Sequence, residues 1–194
     1  MITDSLFSNG NVISLDESGR GCLSGPVVAA AVILPKNFES DLIKDSKKLS
    51  EKKREKAFEL IKEIAIDYTV SFVDEKEIDR INILEATMLA MHNCLKTMET
   101  PFEHILIDGN YFKKYKNIDH TCVVKGDDTY YSIAAASIIA KVTRDRYMKE
   151  LHQKLPMYNW EKNKGYGSAQ HFESIKTFGI TEHHRKSFLK SILL

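Results

Sequence analysis

The chain has 194 residues, 43% hydrophobic and 28% charged, which is enough for a substantial core and ordinary for a globular protein. The longest apolar-rich run, Pro26 to Pro35, is too short to span a bilayer, and no basic segment followed by an apolar one opens the sequence, so the expectation is a cytoplasmic protein with no membrane contact. A net charge of +1 hides an asymmetry: residues 1–140 carry 17 Lys+Arg against 22 Asp+Glu (−5), and residues 141–194 carry 11 against 5 (+6), a balance that suits a polyanion held by one part of a protein and processed by another.

Along the chain, residues 12–17 read as a first strand and 26–34 as a second. Between them Ser18 to Gly25 carries three glycines, the composition of a tight turn or of a loop that a ligand approaches closely. Asp45-Ser46-Lys47-Lys48-Leu49 is a basic loop, and Ser50 then caps a helix whose apolar stripe is Ala57, Leu60, Ile61 and Ile64. Asp67 to Val73 is a third strand. Residues 84–98 are a second helix, with Leu84, Met88, Leu89, Met91 and Leu95 on its apolar face. His104 to Ile107 and a short stretch near Thr121 to Val124 complete the strands. Ser132 to Leu155 predicts a long helix with a small, apolar and therefore buried first half, and Ala169 to Phe178 a last helix stopped by Gly179. Without linker or repeat, this order predicts one α/β layered domain over 1–194.

The chemistry lies in acids at the ends of apolar runs. Asp16 and Glu17 close Val12 to Leu15, Asp108 closes Ile105 to Ile107, and Asp127 follows Cys122 to Gly126. A buried carboxylate is costly unless something neutralises it, and carboxylates meeting at adjacent strand ends are what hard divalent cations require. Each acid alone has a bland alternative. Asp16 or Glu17 could cap a turn or pair with Arg20; both reach one site only if the chain turns at Glu17, because neighbours on a strand point to opposite faces. Asp108 before Gly109-Asn110 could be a turn residue, and Asp127 or Asp128 a helix N-cap. The acids argue for a site jointly, beside a glycine-rich loop.

Gly19-Arg20-Gly21 could offer backbone N–H groups to a phosphate or hydroxyl, but it is neither a Walker loop nor a dinucleotide fingerprint. Ser46 and Lys47 suit a phosphate. Tyr166, between Gly165 and Gly167, could stack on a sugar or base. His183-His184-Arg185-Lys186 is a basic cluster with no zinc pattern near it, and the three widely spaced cysteines, Cys22, Cys94 and Cys122, suit a reducing compartment.

Taken together, these segments resemble the ribonuclease HII family. The resemblance is carried by Asp16-Glu17-Ser18-Gly19-Arg20-Gly21 with Gly25-Pro26-Val27-Val28-Ala29-Ala30, and by Asp45-Ser46-Lys47-Lys48-Leu49, Asp108-Gly109-Asn110 and Lys125-Gly126-Asp127. It continues through Ala134 to Ile138, Ala140 to Arg146, Gly165-Tyr166-Gly167-Ser168 and His184-Arg185-Lys186-Ser187-Phe188, in order over residues 12–188. Ser18 and Cys22 depart from the alanine and proline usual at those positions.

The resemblance implies a ribonuclease H-like fold, α/β with a mixed central sheet flanked by helices, and a small C-terminal helical part at about 156–194 that binds substrate. It implies a monomeric endonuclease that cuts the RNA strand of RNA–DNA hybrids and cuts 5′ of single ribonucleotides embedded in duplex DNA, leaving 3′-hydroxyl and 5′-phosphate. Asp16, Glu17, Asp108 and Asp127 match the acidic set, which would hold two Mg²⁺ or Mn²⁺ ions during catalysis. Gly19, Arg20 and Gly21 match the loop that reads the 2′-hydroxyl, and Tyr166 the tyrosine that senses the ribose. Ser46, Lys47, Arg144, His184 and Arg185 are expected substrate contacts. A DNA-directed nuclease or strand transferase of the same fold is the alternative enzyme, and a non-catalytic nucleic-acid binding module the alternative of another class.

Overall fold

Five strands form one mixed sheet in the order β3-β2-β1-β4-β5. They are β1 (Val12–Ser18), β2 (Val27–Ile33), β3 (Asp67–Val73), β4 (His104–Asp108) and β5 (Asp119–Val123). The computed structural model describes residues 1–3, 7–43 and 46–190, Lys47 by its backbone alone. β1, β2 and β3 pair antiparallel as a meander, whereas β4 and β5 add parallel to β1 on its other side. The two parallel neighbours β1 and β4 therefore end at the same edge of the sheet, and they end in Asp16-Glu17-Ser18 and Asp108.

β2 is buried on both faces, which is why Val27 to Ile33 is an unbroken apolar run and not an alternating one. Its odd-numbered residues (Val27, Ala29, Ala31, Ile33) pack with Ile13 and Leu15 of β1 and with Met88, Met91 and Leu95 of α3 (Ile83–Thr97). Its even-numbered residues Ala30 and Val32 pack with α1 (Glu51–Ile64) and with α5 (Tyr131–Lys154) on the opposite face. Ser50 caps α1, its hydroxyl accepting from the Lys53 N–H, as its sequence position implies. The small residues Ala134, Ala135, Ala136 and Ala140 let α5 lie close against β1 and β2, and Ser132 on that helix meets Ser14 of β1 at 2.7 Å.

Three short helices lie outside the expected set: α2 (Glu75–Ile81), α4 (Gly126–Thr129) and α6 (Trp160–Asn163). β5 begins earlier than expected, at Asp119. The last helix, α7 (Ala169–Phe178), ends at Gly179 as expected and joins a separate small core of Met148, Leu151, Tyr158, Trp160, Ile175 and Leu189 at the far end of α5. No helix among the described residues is long and apolar enough to cross a membrane.

Candidate active site

Asp16, on the α5 side of β1, is almost fully buried. Asp108 ends the neighbouring parallel strand, and its Oδ1 accepts the Gly126 N–H at 2.7 Å. That bond draws the start of α4, and Asp127 with it, against the end of β4. The result is a cluster in which one carboxylate oxygen from each of Asp16, Asp108 and Asp127 lies within 4.8 Å of the others. Lys125, in a left-handed conformation, occupies the cap position of α4, so Asp127 is a buried residue of its first turn and not the cap. Asp128 points outward and pairs with Lys48.

Glu17 reaches the same cleft by a different route from the one its neighbour suggested. β1 does not turn at Glu17: pairing with β2 runs on through Glu17↔Ala29 and Ser18↔Val28. Glu17 therefore comes from the opposite side of the pleat, lines the cleft together with Asp16 and Asp108, and meets Arg20 at 3.4 Å. Burial, then the charges of Glu17 and Asp108, push the Asp16 carboxyl well above the usual carboxylate range; the Ser137 hydroxyl and the Glu17 N–H only partly offset them. Crowded anions of this kind need a cation, and a cluster of hard carboxylate oxygens fits a divalent one.

The cleft has a volume of about 210 Å³. Beyond the acids, the cleft is lined by the loop Ser18 to Gly21 and by Ser46, Ser137, Lys141 and Tyr166. Gly19 has φ +93, and a Cβ there would lie 2.0 Å from Arg144 Nε, so only glycine fits this corner. The Ser46 and Ser137 hydroxyls meet at 2.9 Å, behind Asp16. Asp45 and the Lys47 side chain lie outside the described residues.

Three expected phosphate contacts are placed elsewhere. Arg144 and Arg185 are fully buried, and His184 is 1% exposed. Arg144 donates to the carbonyls of Pro26, Ser24 and Lys164 at 2.8–2.9 Å. Arg185 donates to Gly25 O twice and to Arg20 O, at 2.7–2.9 Å. Both guanidinium groups fasten the glycine-rich loop and face no solvent. His184 packs against Tyr158 and Trp160, and burial together with its histidine neighbours brings its pKa down to about 4, so it carries no charge for a phosphate at neutral pH.

Sequence reading missed Ser137 and Lys141. Lys141 pairs with Asp145 at 2.8 Å, and its ammonium lies 5.9 Å from the Tyr166 ring centre. The signal was present: Ser137, Lys141 and Asp145 follow one another at i, i+4 along one face of α5.

The family model for ribonuclease HII matches residues 13–191. The chain belongs to the ribonuclease HII family. It is 52% identical to the ribonuclease HII of Christiangramia forsetii, over 91% of this chain and 89% of that one. The crystal structure of the ribonuclease H2 from Pyrococcus horikoshii OT3 superposes with a TM-score of 0.77 at 29% identity, covering 94% of this chain and 96% of that one. Bst-RNase HIII in complex with Mn²⁺ shares the fold, with a TM-score of 0.74 at 21% identity, covering 93% of this chain and 70% of that one. The fold is thus the expected ribonuclease H-like one, and the enzyme is an endonuclease of the ribonuclease H class with an aspartate cluster able to bind metal.

Proposed function

We propose that the enzyme hydrolyses the RNA strand of RNA–DNA hybrids and cuts 5′ of a single ribonucleotide embedded in duplex DNA, leaving 3′-hydroxyl and 5′-phosphate. Asp16, Glu17, Asp108 and Asp127 would hold two Mg²⁺ or Mn²⁺ ions. The observation that supports this reading is that Asp16, Glu17 and Asp108 share one cleft with the Gly19–Gly21 loop and Tyr166, with Asp127 joined to Asp16 and Asp108 in one carboxylate cluster, so that cutting and ribose recognition have a common space. When bound, such ions generate the attacking hydroxide and stabilise charge on the leaving oxygen.

The residues of the chain do the rest. The Gly126 N–H fixes the rotation of Asp108, and the Ser137 hydroxyl that of Asp16. The backbone N–H groups of the glycine-rich loop suit a 2′-hydroxyl, the group that separates RNA from DNA at a given position. Tyr166 lines the cleft and is 44% exposed, which leaves ring surface to pack on the sugar. Lys47 and Lys141 are then the candidates for contact with the strand's phosphates, and Ser46, buried against Ser137 but lining the cleft, is a contact for the strand only within it. On this reading the chain works as a monomeric cytoplasmic domain, and the small core around Trp160 seats the C-terminal part that grips the duplex.

The test is incubation with three duplexes (RNA–DNA hybrid, DNA with one ribonucleotide, all-DNA) in Mg²⁺, Mn²⁺ or chelator. Cleavage of the first two, in metal alone, is expected. Cleavage of all-DNA duplex would point instead to a DNA-directed nuclease, and metal-independent binding without cleavage to a non-catalytic module. Asp127→Asn should lower turnover roughly 10²–10³-fold in a folded protein, the several kcal/mol that a displaced catalytic metal represents; near-normal turnover removes Asp127 from the acidic set.

A further inference from the structure

Behind Tyr166 lies a chain of buried rings that the proposed reaction does not use. His171, on α7, is fully buried. Its Nδ1 lies 2.9 Å from the carbonyl oxygen of Tyr166. A carbonyl can only accept, so Nδ1 carries the proton. On the other side of the ring, the Trp160 indole N–H, which can only donate, points at His171 Nε2 at 3.1 Å. Nε2 must therefore be the bare nitrogen. His184 completes the sequence: its Nδ1 accepts the Thr181 N–H at 3.0 Å, which leaves its Nε2–H to face His171 Nε2 at 3.3 Å. The Ser24 hydroxyl, also 3.3 Å from His171 Nε2, ties the glycine-rich loop to the same atom. Each tautomer is thus set by a partner whose own role is fixed.

We propose that His171 is a positioning residue for ribose recognition: as the neutral Nδ1–H tautomer, held by Trp160 and His184, it grips the Tyr166 carbonyl and sets the pose of the Tyr166 ring in the cleft. This rests on the reading of Tyr166 given above. Two side chains also touch Tyr166: the Lys141 ammonium lies 5.9 Å from the ring centre, and Cys22 shares a hydrogen bond with the phenol. The Tyr166 ring is half exposed, its carbonyl receives one further donor, the Ser168 N–H at 2.9 Å, and its N–H goes to Asn163 O at 2.9 Å within the same loop. The ring of His171 connects that loop to the buried core of the C-terminal part. Burial lowers the pKa of His171, so the neutral form persists through the physiological range.

Two substitutions separate this role from plain packing. In His171→Asn the side-chain amide places an N–H near the position of ring Nδ1 and can still donate to the Tyr166 carbonyl. In His171→Gln the amide reaches the Nε2 region and the carbonyl keeps only the Ser168 N–H of its two donors. Both variants, Tyr166→Ala and the unaltered enzyme are assayed on DNA duplex with one ribonucleotide and on uniform RNA–DNA hybrid, with thermal melts as the fold control. His171→Gln is expected to lower cleavage at the single ribonucleotide roughly three- to tenfold relative to the hybrid, the scale of one lost hydrogen bond, and His171→Asn to restore most of that ratio. Equal ratios in the two variants, or equal losses on the two substrates, overturn the proposal. If Tyr166→Ala leaves the ratio unchanged, the reading of Tyr166 fails first; if it lowers the ratio while His171→Gln does not, only the role of His171 fails. Should the Gln variant not fold, nitrogen NMR of the unaltered enzyme decides: an Nδ1–H tautomer at His171 is expected, and an Nε2–H tautomer overturns the assignment.

Discussion

Asp16 shows what a carboxylate cluster able to bind metal costs before any metal arrives. Its carboxyl is buried beside Glu17 and Asp108, and the folded protein holds its pKa above that of the unfolded chain. The sign follows directly: stability from this group is fully present at pH values below the unfolded pKa and is lost as pH rises through the raised, folded one. At neutral pH in chelator, Asp16→Asn should therefore raise Tm by a few degrees while abolishing cleavage, and the gain should vanish near pH 3. A thermal melt at both pH values measures this; an unchanged or lowered Tm at pH 7 would show that the site is not electrostatically strained. At this scale the acids were legible because a carboxylate closing an apolar run is anomalous on its face. Arg144, His184 and Arg185 were not, because a charged letter suggests exposure, and nothing in a linear chain reveals that Ser24, Gly25 and Lys164 will present their carbonyls to a buried guanidinium.

Among the elements, the connection carrying Tyr166 is the most tightly specified. Gly165 has φ +85, its carbonyl accepts the Leu23 N–H at 2.8 Å, and a Cβ placed on it would lie 2.5 Å from the Ser24 carbonyl oxygen. Gly165→Ala adds a left-handed backbone penalty of about 1–2 kcal/mol to that clash and should lower the urea midpoint clearly. Gly21→Ala is the contrast, since a methyl there meets nothing within 4 Å. Equal midpoints for the two variants would refute the close approach of these loops. Strands β1 to β4 were readable as short apolar runs, α1 and α3 from their apolar stripes, and α5 from its small, apolar first half. Helix α2 was not: it has seven residues, its buried residues are Glu75 and Ile78, and two turns are too few for a 3.6-residue pattern to stand out. Its one local signal was Asp74, whose carboxylate accepts the Glu77 N–H.

For the molecule as a whole, acid should loosen the C-terminal part first. His184 is brought down from 6.5 to about 4 by burial and by His171 and His183. Such a group contributes stability that is present above its unfolded pKa and lost as pH falls through the folded one, here between about 6.5 and 4. His184→Gln lacks that titration, so the stability advantage of the unaltered enzyme over this variant should shrink on acidification across that window, by on the order of 3 kcal/mol at most. Denaturant unfolding at several pH values measures the difference, and a constant gap would remove His184 as its source. The sheet was foreseen as mixed; the partition into a main body and a small core around Trp160 was foreseen only as a C-terminal helical region, because that core is assembled from residues far apart in sequence, Met148 to Leu189.

The meander has one more consequence. β1 carries Asp16 and runs straight into the loop that ends at β2, and the two strands are locked by Asp16↔Ala30 and Ser18↔Val28. A slip of one residue between them would turn Asp16 to the opposite side of the sheet and drag Gly19 away from Arg144 in the same movement. On the proposed reading the blade and the gauge are cut from a single piece, so a misassembled molecule becomes inert before it can become indiscriminate.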